Sequence, residues 1–262
     1  MLLVSRGSAL AAGAVLGVGL WIKFPAILAA PALLLAFPRG ADRLRFAASL
    51  IVVGVASYVP ALLRDAEVVV RSVFLYGGLQ IQSPAGVRIW GTQLFYHDDA
   101  LAPGSSHGAG GLFRALLRNN TWICVAPIAL VAWARRDGRS RLEIACNVGA
   151  SYAIFHGLTN FWAWQYLAWA LPLWWAAGWR TAMPACAVAT VYVYVLYVWL
   201  CGDPWLAGSW DWLGKPHWPA WLLRLREAAV LGFFATALAL VAQAILAELR
   251  RARGPRAGEP TS

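Results

Sequence analysis

Long apolar stretches separated by short arginine-rich segments run through most of the chain. Stretches of this length predict helices that cross or enter a bilayer, because a crossing needs about 20 mostly apolar residues. The stretches cover residues 8–37, 46–63, 122–133, 144–158, 161–179, 183–200 and 228–249. With 8–37 counted as a hairpin, they predict an all-α, polytopic integral membrane protein with about eight transmembrane or re-entrant helical segments.

The first apolar stretch is interrupted by Lys23 and Pro25. About 30 residues give about 45 Å of helix, which is enough for one long tilted span or for two short arms, but not for two full crossings. We expect a hairpin whose two arms meet at Lys23. One long helix over 8–37 is the alternative.

The distribution of arginine predicts the orientation. Arginines cluster in 39–45, in 135–141, at Arg180 and in the tail 250–262, and alternating spans bring all of them to one side. Short arginine-rich loops stay in the cytoplasm, so we expect both termini there and a multi-pass protein of the inner (plasma) membrane. The outer side then receives Lys23, a polar loop over 64–120, the turn at 159–160 and the loop 201–219.

The same pattern predicts a multi-span membrane domain over 1–249, with the outer loop 64–120, followed by a basic cytoplasmic tail over 250–262. Residues 218–225 are expected to lie along the membrane interface before the final span. The first apolar block lacks a small-residue cleavage site, so we expect no cleavable signal peptide.

Composition agrees with a membrane protein and narrows the partners. Of 262 residues, 60% are hydrophobic and 13% are charged, whereas soluble domains have roughly 45–50% and about 25%. The net charge is +10, but the basic residues flank apolar blocks and form no stripe with aromatic residues. The lipid bilayer is therefore an expected partner and nucleic acid is not. Four cysteines without paired spacing are expected to be small core residues.

Lys23 is the most informative charge in the chain. An ammonium group within an apolar stretch is costly unless it reaches the interface or meets an anion. The phosphate of a lipid-linked substrate is such an anion, and a helix N-terminus freed beside Pro25 would add donors for it. A lysine that only snorkels to the interface is the alternative.

A second cluster consists of Trp164, Gln165 and Tyr166, near the outer end of a predicted span. Amide and phenol groups bind sugar hydroxyls and aromatic rings stack on sugar C–H faces, so this cluster predicts a sugar site. An aromatic belt at the membrane interface is the alternative.

A third cluster consists of Arg71, Tyr76 and Arg88, among glycines at the start of the outer loop. Two guanidinium groups and a phenol suit a phosphate or a sugar. An ordinary extracytoplasmic loop is equally compatible with these residues.

Acid–base chemistry needs a positioned carboxylate, and Asp98 and Asp99 are the only directly adjacent acids on the outer side. They are weak candidates, because a loop acid is more often solvated than catalytic. No Walker-type loop, zinc-binding helix or nucleophile elbow occurs. We predict no cofactor and no metal site, and nothing in the sequence supports a divalent cation.

Three segments, in this order, resemble the GT-C superfamily of polyprenyl-phosphate-dependent glycosyltransferases, in particular the family-87 mannosyltransferase-like proteins. They are residues 17–31 around Lys23, residues 73–78 with 89–91, and the Gln-Tyr-Leu-x-Trp-x-Leu-Pro stretch over 165–172. The resemblance implies inverting transfer of a sugar from a polyprenyl-phosphate carrier on the outer side of the membrane.

The resemblance also implies that the catalytic aspartate lies in a large outer loop before the hairpin. This sequence begins almost at the hairpin, so the chain is similar to the C-terminal part of a longer enzyme, to an enzyme with a misplaced start or to a degenerate member of the group. We expect it to bind the carrier without transferring sugar by itself. Two other functions stay open: a transporter or flippase for a lipid-linked substrate, and a non-catalytic membrane partner.

Overall fold

A computed structural model describes residues 1–71, 119–159, 173–174, 182–209 and 219–253. Helix accounts for 83% of these residues and no strand occurs among them, so the all-α prediction is confirmed for this part of the chain. The chain divides into two compact units. Unit 1 comprises Met1–Tyr76, Ala126–Tyr152 and Leu238–Ser262, and unit 2 comprises Gly77–Val125 and Ala153–Ala237.

The first 71 residues form six α-helices and one 3-10 helix. They are α1 (Leu2–Ser5), α2 (Ala9–Ile22), the 3-10 helix (Phe24–Ala29), α3 (Ala30–Leu35), α4 (Gly40–Ala56), α5 (Val59–Arg64) and α6 (Ala66–Val69). Four longer helices follow in the described part of the chain: α7 (Asn120–Ala134), α8 (Arg141–Leu158), α9 (Ala182–Cys201) and α10 (Ala220–Ala252).

Two of the described helices are long and apolar enough to cross a membrane, Met183–Cys201 within α9 and Ala220–Ala252. Three shorter apolar helices cover Ala9–Ile22, Pro25–Leu35 and Asn120–Ala134. The apolar stretches predicted over 122–133, 144–158 and 183–200 thus coincide with α7, α8 and α9. The stretch 161–179 lies outside the described residues apart from 173–174, and the count of about eight spans stays a prediction.

The hairpin at Lys23 is confirmed by the relative direction of α2 and α4. The Ser49 hydroxyl donates to the Leu10 carbonyl at 2.8 Å, and the Tyr58 hydroxyl donates to the Leu20 carbonyl at 3.4 Å. From the first contact to the second, the residue numbers increase along both helices, so α2 and α4 run parallel. A single long helix over 8–37 would make them antiparallel, whereas a parallel pair requires the chain to turn at Lys23 and return before α4 begins.

The returning arm packs on α8, with which it runs antiparallel. At one end of the arm the Tyr152 hydroxyl donates to the Pro25 carbonyl at 3.4 Å. At the other end the Arg139 guanidinium donates to the Ala36 carbonyl. Each arm of the hairpin is about 20 Å long, which is shorter than the hydrocarbon core of a bilayer, as expected from the length of the apolar stretch.

Three glycines allow α2 and α4 to approach closely. A Cβ atom on Gly13 would lie 2.3 Å from the Phe46 carbonyl oxygen, and one on Gly17 would lie 2.9 Å from the Gly54 amide nitrogen. Small residues four apart on one helix face permit such backbone contact, which is typical of helix pairs packed within a membrane. The packing of unit 1 therefore depends on positions at which no side chain fits.

Several helix boundaries differ from the sequence prediction. The stretch 46–63 was expected as one span, but α4 ends at Ala56 and α5 begins at Val59 with a proline in its first turn. Proline has no N–H to donate to the preceding turn, which accounts for the interruption. Residues 220–225, expected along the interface, instead belong to the continuous helix α10, which also runs past the predicted tail boundary at 249 to Ala252.

Helices α9 and α10 each bury one narrow stripe of side chains. In α9 the stripe is Ala185, Ala189, Tyr192, Leu196 and Leu200, all nearly inaccessible, at intervals of three and four residues. Such intervals keep residues on one helix face. A Cβ on Gly232 of α10 would lie 2.9 Å from the Cβ of Ala185, so these two helices are in close contact within unit 2.

We predict that Gly13→Ala destabilises the protein whereas Gly19→Ala does not. Both changes add one methyl group to α2 and gain up to about 1 kcal/mol of helix propensity. At Gly13 the methyl group meets backbone, which costs about 1–3 kcal/mol, whereas at Gly19 the nearest atom is the Ala26 side chain at 3.4 Å. Thermal unfolding of both variants in detergent tests this, and equal melting temperatures would refute the close packing.

Candidate functional site

The helix break at Lys23 is the most distinctive feature of unit 1. Helix α2 ends when the Lys23 N–H donates to the Gly19 carbonyl at 3.0 Å, and Lys23 itself is extended, with φ −155° and ψ 121°. The Lys23 carbonyl accepts the Ala26 N–H at 3.1 Å and starts the 3-10 helix, which has proline in its first turn. Pro25 has no N–H to donate to the Trp21 carbonyl and its ring would clash with that carbonyl, so α2 cannot continue through this position.

Two tyrosine hydroxyls bind backbone carbonyls on either side of the break. Tyr58 donates to the Leu20 carbonyl in the last turn of α2, and Tyr152 donates to the Pro25 carbonyl. The last carbonyl groups of a helix have no intrahelical partners, and an unsatisfied carbonyl is costly in apolar surroundings. The Tyr58 bond therefore stabilises the interrupted end of α2, and the Tyr152 bond ties the start of the 3-10 helix to α8.

The two residues directly before Lys23, Trp21 and Ile22, form an apolar and aromatic rim beside it. The Trp21 indole donates to the Val53 carbonyl at 2.7 Å, which fixes the ring against α4. Trp21 is half exposed, Ile22 is 78% exposed and Lys23 is exposed. Lys23 thus lies on the surface of unit 1, at the end of α2 and next to two large apolar residues in the chain.

Arg71 is the other predicted binding residue that the structure describes. Its guanidinium lies 2.7 Å from the Glu67 carboxylate, and both side chains are more than 70% exposed. An exposed ion pair of this kind contributes little stability, and its arginine can exchange the carboxylate for another anion at small cost. The remaining candidates, namely Tyr76, Arg88, Asp98, Asp99, Trp164, Gln165 and Tyr166, lie outside the described residues.

Arg226 is a candidate that the sequence analysis missed. It lies in α10 of unit 2 and is only 8% exposed. A buried arginine in an apolar helix is costly and commonly marks a functional site. The predicted interfacial segment ended at residue 225 and the predicted final span began at 228, so Arg226 fell between the two and its burial was not predicted.

A second missed feature is the aromatic cluster around His156 in unit 2. His156 is completely buried, and its ring centroid lies 5.7 Å from that of Trp174 and 5.5 Å from that of Phe233. A Cβ atom on the next residue, Gly157, would lie 2.4 Å from the Phe233 carbonyl oxygen, so α8 and α10 are in backbone contact here. The imidazole is a well-packed part of the core of unit 2.

Buried polar groups also lie at the ends of α7 and α8. The Asn120 side-chain amide donates to the Leu158 carbonyl at 3.1 Å, and Thr159 is fully buried. This contact joins the start of α7 to the end of α8 directly before the predicted sugar-binding stretch.

The four cysteines are free thiols, as expected, and Cys124, Cys186 and Cys201 are buried. Within the described residues no group of three or more histidine, cysteine, aspartate or glutamate side chains is arranged to hold a metal ion.

No family model, curated protein or solved structure matches the chain. The glycosyltransferase resemblance therefore stays a prediction made from sequence motifs.

The end of unit 1 opposite Lys23 carries a second group of charges. Glu143 there caps α8: the Ser140 hydroxyl donates to its carboxylate at 2.7 Å, and the backbone amides of Ser140 and Arg139 donate at 2.9 and 3.1 Å. The Glu143 N–H returns a bond to the Ser140 oxygen at 3.2 Å, which completes a capping box. The Ser140 hydroxyl, followed by the two amides, lowers the pKa of Glu143 below its ordinary value.

We predict that Glu143→Gln lowers the melting temperature at neutral pH and that this difference disappears in acid. A carboxyl group whose folded pKa is depressed stabilises the fold above its unfolded pKa of about 4.3, and the contribution is lost as pH falls through the folded pKa. Thermal unfolding in detergent from about pH 7 down to about pH 3 measures the difference. Glu67→Gln, which removes the same charge from an exposed ion pair, should have a much smaller effect. A pH-independent effect of Glu143→Gln would contradict the capping role.

Proposed function

We propose that the chain is a multi-span membrane glycosyltransferase, or part of one, that takes a sugar from a polyprenyl-phosphate carrier on the extracytoplasmic side. The helix break at Lys23 is the observation that carries this proposal. It combines an exposed ammonium group, an apolar rim and an interrupted helix at one end of unit 1. The motifs shared with the GT-C superfamily support the same substrate class.

The membrane location is supported by the solvent-exposed apolar face of α10. Leu231, Leu238 and Ile245 are each about half exposed and follow one another at intervals of seven residues, so they form one stripe. The buried stripe of the same helix includes Phe233, which leaves α10 apolar on two sides. Only 39% of the apolar window of α10 is buried, although a core helix of a soluble protein is mostly buried. Lipid is the solvent that favours such a surface.

Lys23 is assigned to the carrier phosphate. The long lysine side chain can lay its methylene groups along Trp21 and Ile22 while its ammonium reaches the headgroup region. A polyprenyl phosphate is matched to this arrangement, because its chain is apolar and its phosphate is anionic. The two tyrosines that cap the neighbouring carbonyls hold the backbone of the break in place.

The sugar and the chemistry are assigned from the sequence. Trp164, Gln165 and Tyr166 have the aromatic faces and the hydrogen-bonding groups that a sugar needs. Inverting transfer needs a carboxylate that takes the proton of the acceptor hydroxyl, and Asp98 or Asp99 is the candidate within this sequence. Arg71 and Arg88 are further candidates for the phosphate.

Transport of a lipid-linked substrate is the second candidate function. It is favoured by the interrupted helix, because transporters commonly bind their substrates where transmembrane helices are discontinuous. Proteoliposomes that contain a polyprenyl-phosphate sugar separate the two functions. A transferase releases the carrier and forms a glycosylated acceptor, whereas a flippase moves the intact donor between leaflets without forming a product.

We predict that Lys23→Ala weakens the binding of polyprenyl phosphate by about tenfold, since a hydrogen bond to a charged group is worth about 1.5–3 kcal/mol. Lys23→Arg should weaken it less, because the cation is kept while its geometry changes. Binding to the full chain in detergent micelles can be measured by titration with the carrier.

Arg224→Ala is the matched control for that titration. It removes one exposed cation that belongs to unit 2 and not to the basic end, and it should leave binding unchanged. Equal affinity of wild type and Lys23→Ala would reduce Lys23 to a snorkelling residue and remove the main support for the proposal.

A further inference from the structure

Three arginine-rich segments that are far apart in sequence meet at one end of unit 1. This basic end comprises Arg6 and residues 39–45, 135–143 and 248–253. It lies opposite the Lys23 break, because α2 and α4 both begin here and run in parallel towards Tyr58. The basic end contains eleven arginines and four carboxylates, and so accounts for most of the net charge of +10.

A network of ion pairs holds two of these segments together. Arg136 lies 2.9 Å from the Glu248 carboxylate, which also accepts from Arg251. Arg251 in turn lies 2.6 Å from Asp137 and donates to the Ala134 carbonyl at 3.0 Å. The end of α10 is therefore fastened to the loop between α7 and α8.

Other arginines connect this loop to the first part of the chain. Arg139 donates to the Ala36 carbonyl, and Arg141 donates to the Ser5 hydroxyl at 3.4 Å. Within the first part of the chain, Arg43 donates to the Phe37 carbonyl at 2.8 Å. These contacts use the arginines as structural donors. They fix the positions of the remaining basic residues without neutralising them.

Four arginines of the basic end are exposed and have no ion pair or side-chain hydrogen bond to any residue in the described part of the chain. They are Arg6, Arg39, Arg250 and Arg253. They come from three segments and share one end of unit 1. Exposed guanidinium groups at one end of a protein are suited to a surface that presents many phosphates, since each group can form two parallel hydrogen bonds to phosphate oxygens.

Three exposed leucines lie within the segments that form the basic end. Leu44 is 71% exposed, Leu142 is 56% exposed and Leu249 is 49% exposed, each next to an arginine in the chain. A soluble phosphate or a nucleic acid gains nothing from these apolar side chains. An amphiphile does, because its phosphate meets the guanidinium groups while its acyl chains cover the leucines.

We propose that the basic end is a binding surface for acidic phospholipids, which it selects over zwitterionic ones through Arg6, Arg39, Arg250 and Arg253. The inference rests on the proposed membrane location, and it adds a lipid partner that is distinct from the carrier assigned to Lys23. A basic residue close to an anionic membrane surface can raise the preference for acidic lipid by up to about fivefold.

The test uses the full chain reconstituted in mixed vesicles that contain trace spin-labelled phosphatidylglycerol or phosphatidylcholine. The motionally restricted fraction of each label gives the preference of the protein for one headgroup over the other. We expect wild type to prefer phosphatidylglycerol and Arg39→Gln with Arg250→Gln to reduce that preference at least twofold. Arg64→Gln with Arg224→Gln is the matched control, because it removes two exposed arginines from outside the basic end and should leave the preference unchanged.

Raising the salt concentration gives a second readout on wild type alone, which stays informative if the double variant folds poorly. Screening should lower the phosphatidylglycerol preference of wild type. Equal restriction of both labels in wild type, or the same loss in the control pair, would overturn the inference while leaving the membrane location intact. Absence of any restricted lipid would instead overturn both the membrane location and the lipid surface.

Two competitors test the other possible occupants of the basic end. Inorganic phosphate or a short oligonucleotide, added at the same phosphate concentration, should not abolish the preference. Loss of the preference with either competitor would assign the surface to a soluble anion and contradict the lipid assignment.

Discussion

The close parallel contact of α2 with α4 determines where the charges of unit 1 lie. Gly13 and Gly17 bring the two backbones together, and no side chain fits between them. Because the two helices point in the same direction, the segment between them has to return across the unit. The turn at Lys23 is then at one end and the arginines that precede α4 are at the other. A functional division between the two ends thus follows from a contact between backbones.

Polar contacts stabilise both ends of unit 1. At the Lys23 end, Tyr58 satisfies a carbonyl in the last turn of α2, and Tyr152 binds the Pro25 carbonyl at the start of the 3-10 helix. At the basic end, ion pairs, a capping box and arginine bonds to backbone carbonyls hold segments that are far apart in sequence.

The sequence was sufficient to predict the helical class, the positions of α7, α8 and α9, and the hairpin at Lys23, because apolar length and proline report directly on these features. It was not sufficient for contacts made across the chain. Tyr152 lies in an apolar stretch, and nothing local indicates that it caps the Pro25 carbonyl. Burial of Arg226 was not predicted for the same reason. The residues before it were predicted to be an interfacial segment, but α10 continues through them as a single helix. The glycine contacts were also missed, as glycine spacing has meaning only once the partner helix is known.

The central claim is that the outward stripe of α10 faces lipid, and a spin label at Leu238→Cys in a variant without the native cysteines tests it most directly. In proteoliposomes, a label in lipid collides often with molecular oxygen and rarely with a water-soluble nickel chelate, whereas a label in water does the reverse. A label at Ala207→Cys, an exposed position in the segment after α9, provides the aqueous reference. The account predicts high oxygen and low nickel accessibility at position 238, and low oxygen and high nickel accessibility at position 207. High nickel accessibility at position 238 would contradict the membrane location and the functions proposed from it.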